Sequence, residues 1–354
     1  MDKSLEKRLH NILNEILPLR NTADEVFIFP HVGADGDALG SGLSLAAALN
    51  TLNIKALVLA DEEPISSLEF LPRQDLLRVF APDELEHYIK RINIAIAVDC
   101  HQSERMEMRG ELFERAPIKI IMDHHVHDGD LGELALMNTE ASSTSELVFD
   151  FIEALERETG EELFNQDLAT LIVTGLVTDT GRFSFPTTTA RAFEQMACLK
   201  HFKPDTTRIY YELYERITLP QALVRGEVLS RIKCSSEQGV IVSSVSREIL
   251  RKAGAVDGDL ETLPSEMRMV EGVKVAFLLR ETAVPGEVRV NIRSNDCFDS
   301  AAFALRYNGG GHVRAAGMTL YNTSLEAAEE LILSEAAKTL EQCPDKVSGE
   351  KSDN

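Results

Sequence analysis

The chain has 354 residues with 36 Lys or Arg and 58 Asp or Glu, so its formal net charge at pH 7 is −22. At roughly 100–200 residues per domain, this length predicts about two domains, each able to bury its own core. No apolar run approaches the ~18–20 residues that a membrane span needs, which excludes an integral membrane protein. No basic stripe is visible either, which argues against a protein that wraps long duplex nucleic acid.

Charge and cysteine usage also bear on location and ligands. The first residues alternate in charge and lack the apolar region of a secretory signal. The five cysteines are scattered and form no C-x-x-C pair, as in proteins whose thiols stay reduced. We therefore expect a cytoplasmic protein that binds no membrane. Because the chain is acidic, we expect any phosphate ligand to be small or to be attracted through bound metal ions.

The first half of the sequence alternates short apolar strands with helical stretches. Strands are predicted, in chain order, over 26–29, 56–59, 92–98 and 118–122. Helices are predicted over 39–49 and from 168 toward Asp179. Continuous apolar strands separated by helices predict an α/β fold with a doubly wound, mostly parallel sheet that is covered on both faces.

The pattern of predicted elements changes in the second half of the sequence. A helical connector is predicted first, and the strands 240–245, 273–279 and 288–292 follow it, the last two joined by a hairpin at 282–286. A helix over 325–339 closes a smaller α/β domain. The predicted division is a first domain at 1–195, a connector at 196–231, a second domain at 232–342 and a disordered tail at 343–354. We expect the active site in the cleft between the two domains.

Acidic residues and histidines follow three of the predicted strands at the point where each strand ends. The first strand leads into His31, Asp35 and Asp37, the third into Asp99, and the fourth into the Asp-His-His run 123–125. Ligands of parallel α/β sheets bind outside the carboxyl ends of strands. Clustered carboxylates repel one another unless cations are bound, and mixed carboxylate and imidazole donors suit Mn²⁺, Zn²⁺ or Fe²⁺. At least six candidate ligands predict a two-metal site.

Each of these residues also has an ordinary structural role that it would serve if it stood alone. An isolated D-x-D such as Asp35 and Asp37 is more often a helix N-cap. Asp99 after an apolar strand is often only a turn former, and a pair such as His124 and His125 is more often structural. These roles do not explain why all of them lie at strand carboxyl ends, so their joint placement favours the metal site.

A glycine-rich loop in the second domain offers a site for an anion. Three successive glycines let backbone N–H groups approach an anion, and the following histidine adds a donor. Two nearby arginines could hold a terminal phosphate in bidentate fashion. The candidate substrate-binding residues are Arg293, Gly309, Gly310, Gly311, His312 and Arg314. Alone, a G-G-G run is more often a flexible turn; beside a metal domain, binding is favoured.

Together, these motifs resemble those of the DHH phosphoesterases. The residues that match the four signature motifs of that family are His31, Asp35, Asp37, Asp99, Asp123, His124, His125 and Asp179. The Gly-Gly-Gly-His run 309–312, followed by Ala-Ala-Gly at 315–317, resembles the hallmark loop of the DHH-associated C-terminal domain. The order and spacing fit from about residue 25 to about residue 335. The overall size is most similar to the bifunctional oligoribonuclease and 3′-phosphoadenosine-5′-phosphate (pAp) phosphatase group, NrnA.

The resemblance implies a role for each matching residue. His31 and Asp35 would bind one Mn²⁺, and Asp37, His124 and Asp179 would bind a second, with Asp99 bridging the two; Mg²⁺ or Co²⁺ are possible substitutes. Asp123 would hold His124 by a hydrogen bond, and His125 would face the substrate phosphate. The helix after Ser143 would begin near the site, which gives Ser143 a supporting role in substrate binding.

The activity implied by the resemblance is hydrolysis of very short oligoribonucleotides to mononucleotides and of pAp to AMP. One alternative keeps the chemistry and takes linear dinucleotides such as pApA or pGpG, left by cyclic-dinucleotide signalling. A rival of another class is a nucleotide-binding regulatory protein that has lost hydrolysis, which the complete ligand set disfavours. The expected partners are short RNA and small bisphosphate nucleotides. The resemblance also points to a homodimer, for which the sequence identifies no interface.

Overall fold

A computed structural model of the chain describes residues 3–235, 239–295 and 297–341. Two units are distinguished, Met1–Arg216 and Ile217–Asn354. The division between them falls inside the stretch 196–231 that the sequence predicts as a connector, and the predicted tail 343–354 lies outside the described residues. Within the described residues, no helix has the length and apolar character needed to cross a membrane.

The first unit is built on a parallel sheet of six strands. These are β1 (Glu25–Phe29), β2 (Lys55–Ala60), β3 (Leu77–Val79), β4 (Ile92–Val98), β5 (Ile118–Asp123) and β6 (Ala135–Met137). Every neighbouring pair is parallel, and the order across the sheet is β3-β2-β1-β4-β5-β6. This confirms the predicted parallel sheet. The strand order reverses between β1 and β4, and such a reversal is where doubly wound sheets bind their ligands.

Both faces of this sheet are buried, which explains why its strands are apolar without alternation. Val26 and Ile28 of β1 pack into one core, while Phe27 and Phe29 pack into another on the opposite face. Side chains alternate along a strand, so a strand covered on both faces needs an apolar residue at every position.

Helices cover the two faces. They are α1 (Lys3–Ile16), α2 (Gly36–Thr51), α3 (Leu85–Ile89), α4 (Arg109–Glu114), α5 (Thr144–Thr159), α6 (Gln166–Asp179), α7 (Ala190–Leu199) and α8 (Thr206–Tyr210). A π-helical turn, Tyr211–Glu215, follows α8. Helices α2 and α6 pack very closely, because Gly40 lies where a Cβ would come within 2.5 Å of the Leu171 carbonyl oxygen. This close contact places the N-terminus of α2 beside the C-terminus of α6.

The second unit has a mixed sheet of six strands. These are β7 (Lys233–Ser235), β8 (Val240–Val245), β9 (Val275–Glu281), β10 (Glu287–Ser294), β11 (Gly310–His312) and β12 (Ala315–Tyr321), in the order β11-β12-β10-β9-β8-β7. Only β8 and β9 pair in parallel among these described strands. Its helices are α9 (Leu219–Ser230), α10 (Arg247–Ala253), α11 (Leu263–Arg268), α12 (Ser300–Leu305) and α13 (Leu325–Glu341). The antiparallel β9–β10 pair confirms the hairpin predicted at 282–286.

Candidate metal centre

The loop between β1 and α2 brings three predicted ligands to the carboxyl edge of the sheet. The side chain of Asp35 caps α2 by accepting the backbone N–H groups of Asp37 and Ala38. His31 donates Nδ1–H to the Val32 carbonyl oxygen over 2.8 Å, so Nε2 is the ring nitrogen that remains to face a ligand. That Nε2 atom lies 3.4 Å from Asp99 Oδ2 and 4.0 Å from Asp35 Oδ1. The His31 ring is therefore held with Nε2 directed toward two carboxylates.

Asp99 is at the end of β4, at the reversal of strand order. Its φ of +59° lies in the left-handed region, which Asp tolerates better than most residues. The side chain is almost fully buried, and Oδ1 accepts the Thr144 hydroxyl over 3.0 Å. Burial raises the pKa of Asp99, and the hydrogen bond from His31 opposes that rise. The left-handed backbone thus ends the strand and presents the carboxylate between the neighbouring ligand sets.

Asp37 is buried in the first turn of α2, at the N-terminus of α5. Its two carboxylate oxygens accept the backbone N–H groups of Thr144, over 2.6 Å, and Ser145, over 2.9 Å. The positive end of the α5 dipole stabilises the carboxylate. Burial nevertheless raises the pKa of Asp37 well above its ordinary value, and the charges of Asp99 and Asp179 add to that effect. A cation at this position would offset both costs.

His124 and Asp179 complete this side of the centre. His124 Nε2 is buried and lies 3.0 Å from Asp179 Oδ2 and 3.6 Å from Asp99 Oδ1. Asp179 ends α6, where the helix dipole disfavours a carboxylate. Burial lowers the pKa of His124, but the carboxylates of Asp179, Asp37 and Asp99 outweigh it and raise the pKa to about 9.

The donor atoms form overlapping sets that fit metal ions. In each set, the ligand atoms lie within 4.8 Å of one another. The sets are His31, Asp35 and Asp99; Asp37, His124 and Asp179; and Asp99, His124 and His125. Carboxylate and imidazole donors suit Mn²⁺, Zn²⁺ or Fe²⁺. The concentration of carboxylates around buried imidazole nitrogens agrees with a cation site. A groove of ≈ 990 Å³ elsewhere in this unit contains none of these residues, so donor chemistry identifies the centre.

The position of Asp123 corrects one expectation. Asp123 does not hold His124, which turns Nδ1 toward the Ala141 carbonyl oxygen at 3.3 Å. Asp123 is fully buried and accepts the ring Nδ1–H and the backbone N–H of His125 on Oδ1, over 2.8 and 3.1 Å. Its Oδ2 atom accepts Nδ1–H of His101 over 2.6 Å. Burial opposes the shift, but these hydrogen bonds lower the pKa of Asp123 to about 2.

Two supporting residues were missed from the sequence. His101 could have been found, because it comes two residues after Asp99 at the same strand end. Arg109 carries no such signal, since it lies on α4. It is buried and donates to the carbonyl oxygens of Pro30 and Leu59 and to the carboxylate of Asp61. It thereby ties together the ends of β1 and β2 beside the ligand loop.

Substrate contact requires an exposed side chain, and Ser143 does not have one. It is fully buried, and its hydroxyl accepts the Glu146 backbone N–H over 3.1 Å as the N-cap of α5. The structure therefore gives it a capping role, which fixes the helix end that holds Asp37.

In the second unit, the glycine-rich run forms strand β11 of a tight hairpin. A Cβ on Gly309 would come within 2.3 Å of the Gly317 carbonyl oxygen, and one on Gly311 within 2.5 Å of the Ala315 oxygen, while Gly310 faces open space. Close packing therefore requires glycine at 309 and 311, and the run does not form a flexible turn.

The same hairpin places two predicted substrate-binding residues in one row. His312 and Arg293 both pair with Ala315, so their side chains lie on the same face of the sheet. The next row along this face has glycine on both β11 and β12, which leaves it open beside Asn291. Arg314 instead donates to the Asn295 carbonyl oxygen.

Comparison with known proteins gives concordant matches. The family model for the DHH family, N-terminal domain, matches residues 25–176, and the model for the DHHA1 domain matches residues 237–342. The bifunctional oligoribonuclease and PAP phosphatase NrnA of Thermus thermophilus is 31% identical over 317 residues, which cover 89% of this chain and 90% of that protein. The Bacillus subtilis protein of the same name is 27% identical over 310 residues, covering 87% and 93%.

A solved structure shows the same fold. The crystal structure of an exopolyphosphatase-related protein from Bacteroides fragilis aligns with a TM-score of 0.77 at 24% sequence identity. The alignment covers 95% of this chain and 98% of that one, so the likeness extends through both units.

Proposed function

Because this chain belongs to the DHH family, we propose that it is a metal-dependent phosphoesterase that hydrolyses very short oligoribonucleotides to mononucleotides and pAp to AMP. The observation that carries the proposal is the convergence of three overlapping ligand sets, two of which contain Asp99. The substrate class is supported by the two relatives named above, whose names describe an oligoribonuclease and PAP phosphatase.

The proposed ligands divide between two Mn²⁺ ions. His31 and Asp35 would hold one ion, Asp37, His124 and Asp179 would hold the other, and Asp99 would contact both. When bound, the ions would lower the pKa of water and neutralise charge on the phosphoryl oxygens.

The protein's own groups would orient the reaction. His125 is partly exposed and donates Nδ1–H to Asp123, which raises the pKa of its ring. With both ring nitrogens protonated, its Nε2–H would donate a hydrogen bond to a phosphoryl oxygen. Asp123, with its lowered pKa, keeps the ring in one orientation. The N-terminus of α5 holds Asp37 in place through two backbone N–H groups.

The second unit would bind the part of the substrate that is not attacked. Arg293 and His312 would hold a distant phosphate, and the glycine row beside them would leave room for the nucleotide. A contact to a phosphate other than the attacked one would make the rate depend on the number of nucleotides in the substrate. The net charge of −22 agrees with small rather than long polyanionic substrates.

The test is a chromatographic product assay with Mn²⁺ that offers pAp, pApA and an RNA of about 24 nucleotides side by side. Conversion of pAp to AMP and of pApA to mononucleotides, with the long RNA barely cleaved, is the expected result. An Asp99→Ala variant and a chelator should abolish it. The matched control is Asp75→Ala, which removes an exposed aspartate away from the centre.

Two other results would change the proposal. Cleavage of pApA or pGpG without turnover of pAp would favour linear dinucleotides as the substrate. Absence of turnover of all three compounds, with Mn²⁺ bound, would contradict the proposed substrates while leaving the metal centre intact.

A further inference from the structure

The segment directly after Asp179 has an unusual backbone. Gly181, Arg182 and Phe183 have φ values of +52°, +64° and +63°, so three successive residues lie in the left-handed region. For the two non-glycine residues this costs roughly 1–2 kcal/mol each. Hydrogen bonds hold the segment: the Arg182 N–H donates to the Val177 carbonyl oxygen over 2.8 Å, and the Phe183 N–H to the Thr180 hydroxyl over 2.9 Å. Strain that the surroundings maintain in this way is common at functional sites.

The consequence of this backbone is the position of the Arg182 side chain. Its guanidinium lies over the ring of Tyr214, 4.8 Å from the ring centroid. Tyr214 is itself fixed, because its hydroxyl donates to the Val177 carbonyl oxygen over 3.1 Å. It belongs to the π-helical turn Tyr211–Glu215, a feature that is rare and frequent at functional sites. Two irregular segments therefore meet to hold one arginine.

This arginine lies beside the metal centre without pairing with it. Arg182 is exposed and forms no ion pair with any carboxylate in the described part of the chain, although Asp179 is three residues away. The hydrogen bond from Tyr214 to the Val177 carbonyl oxygen places the ring at the C-terminal end of α6, which Asp179 ends. Burial raises the pKa of the Tyr214 hydroxyl, Arg182 opposes that rise, and the carboxylates of Asp179 and Asp35 add to it. A positive charge is thus held close to the centre and is available to an anion.

We infer that Arg182 binds a phosphate of the nucleotide substrate next to the phosphoester that is attacked. A guanidinium that stacks by its face keeps its in-plane N–H groups free, and these match two phosphate oxygens. Stacking on Tyr214 also reduces the rotamer freedom that binding would otherwise remove. The inference rests on the proposed function, because it assumes a substrate with more than one phosphate.

The test compares two substrates in the full-length protein with Mn²⁺. One is pAp, which has a second phosphate, and the other is bis(p-nitrophenyl) phosphate, which has only the phosphate that is attacked. Arg182→Ala should lower kcat/KM for both substrates to different extents, with a loss about tenfold larger for pAp than for bis(p-nitrophenyl) phosphate. The loss for pAp should come mainly from a higher KM. Arg182→Lys should restore part of it. Tyr214→Leu should resemble Arg182→Ala, whereas Tyr214→Phe keeps the ring and should stay closer to wild type.

The matched control is Arg208→Ala, since Arg208 is also an exposed arginine stacked on an aromatic ring, that of Phe70, but pairs with Glu212. It should leave both activities unchanged. Equal losses on both substrates, or no loss on either, would overturn the inference. If the wild type turns over neither substrate, the proposed function fails, and pAp affinity measured by calorimetry with Ca²⁺ still decides the role of Arg182. Equal affinity of wild type and Arg182→Ala would then refute it.

Discussion

At the residue scale, the aspartates of the centre serve the backbone and the ligand set at the same time. Asp35 caps α2 through one carboxylate oxygen, and Asp99 ends β4 in a left-handed conformation that few side chains tolerate. The capping and turn-forming roles are therefore compatible, in the structure, with membership of the candidate ligand sets. A residue that meets both requirements is fixed in position before any ion is bound.

The hydrogen bond from His101 to Asp123 predicts a positioning role. Replacing His101 with Ala should leave Asp123 free to rotate and so lower kcat about tenfold, as is typical for partners of site residues. His101→Asn should keep most of the activity, because its side-chain N–H can donate in the place of Nδ1. Steady-state kinetics and Mn²⁺ affinity, measured together, check this.

His10→Ala, in an exposed part of α1, is the control for loss of a histidine. A loss of Mn²⁺ affinity as large as the loss of kcat in His101→Ala would contradict the positioning role, since His101 is not in the proposed ligand sets.

The raised pKa of His124 predicts that metal binding releases a proton. With a pKa of about 9, His124 is protonated at pH 7 when no cation is present, and its Nε2 must lose that proton to bind a metal. Mn²⁺ affinity should therefore rise as the pH increases toward about 9 and level off above it. Titration of Mn²⁺ into weakly buffered protein with a pH indicator measures the release directly.

His124→Gln should reduce the number of protons released, because Gln does not titrate, while His31 and Asp37, whose pKa values are also raised, still lose theirs. Tight Mn²⁺ binding at pH 7 without any proton release would show that His124 is not a ligand.

At the element scale, the centre depends on how closely α2, α5 and α6 approach one another. A Cβ on Gly175 of α6 would come within 1.9 Å of Ser145 Oγ and 2.6 Å of Asp37 Oδ1. Only glycine leaves room for both, so a residue that touches no substrate sets the position of a proposed ligand.

Gly175→Ala is therefore expected to destabilise the first unit by about 1–3 kcal/mol and to weaken Mn²⁺ binding, since Asp37 must move. Gly226→Ala is the matched control, because Gly226 is also helical and a Cβ there meets nothing within 4 Å. That change should stabilise the protein by roughly 0.5–1 kcal/mol. Denaturant unfolding and calorimetric Mn²⁺ titration measure both effects. Normal Mn²⁺ affinity in the Gly175→Ala variant would show that the position of Asp37 does not depend on Gly175.

Element by element, the sequence predicts the parts that carry strong periodic patterns. The central strands β1, β4 and β5 and the helix α6 have long apolar runs, and the structure confirms them. The edge strands β3 and β6 have three residues each, too few to show a period, so nothing in the sequence marks them. The π-helical turn and the left-handed segment after Asp179 depend on tertiary contacts, which a single sequence does not display.

The same distinction holds within the centre. Its aspartates and histidines were predictable, because they follow recognisable strands and the fold brings strand ends together. The hydrogen-bond partners of these residues are harder to predict. The family resemblance implies that Asp123 holds the adjacent His124, whereas the strand geometry turns Asp123 toward His125 and His101. Side-chain direction at a strand end is set by the local backbone, which sequence adjacency does not reveal.

At the scale of the whole molecule, the proposed tasks divide between the two units. All proposed metal ligands lie in the first unit, while Arg293 and the glycine-rich hairpin lie in the second. An acidic protein that acts on anions needs local positive charge, and the two units would supply it differently, through bound cations in one and through fixed arginine and histidine side chains in the other.

This division predicts that the second unit sets substrate length without taking part in chemistry. Arg293→Ala should lower kcat/KM for pApA and longer oligomers about tenfold, the loss expected for one charge-assisted contact, and should flatten the dependence of rate on oligomer length. Hydrolysis of bis(p-nitrophenyl) phosphate should change little, because that substrate has no distant phosphate. Arg289→Ala, on the same strand face two rows away, is the matched control. Rates on a ladder of two to eight nucleotides measure the effect. An unchanged length profile in Arg293→Ala would show that length is selected elsewhere. A flattened profile in Arg289→Ala alone would move the contact by two rows along the strand face.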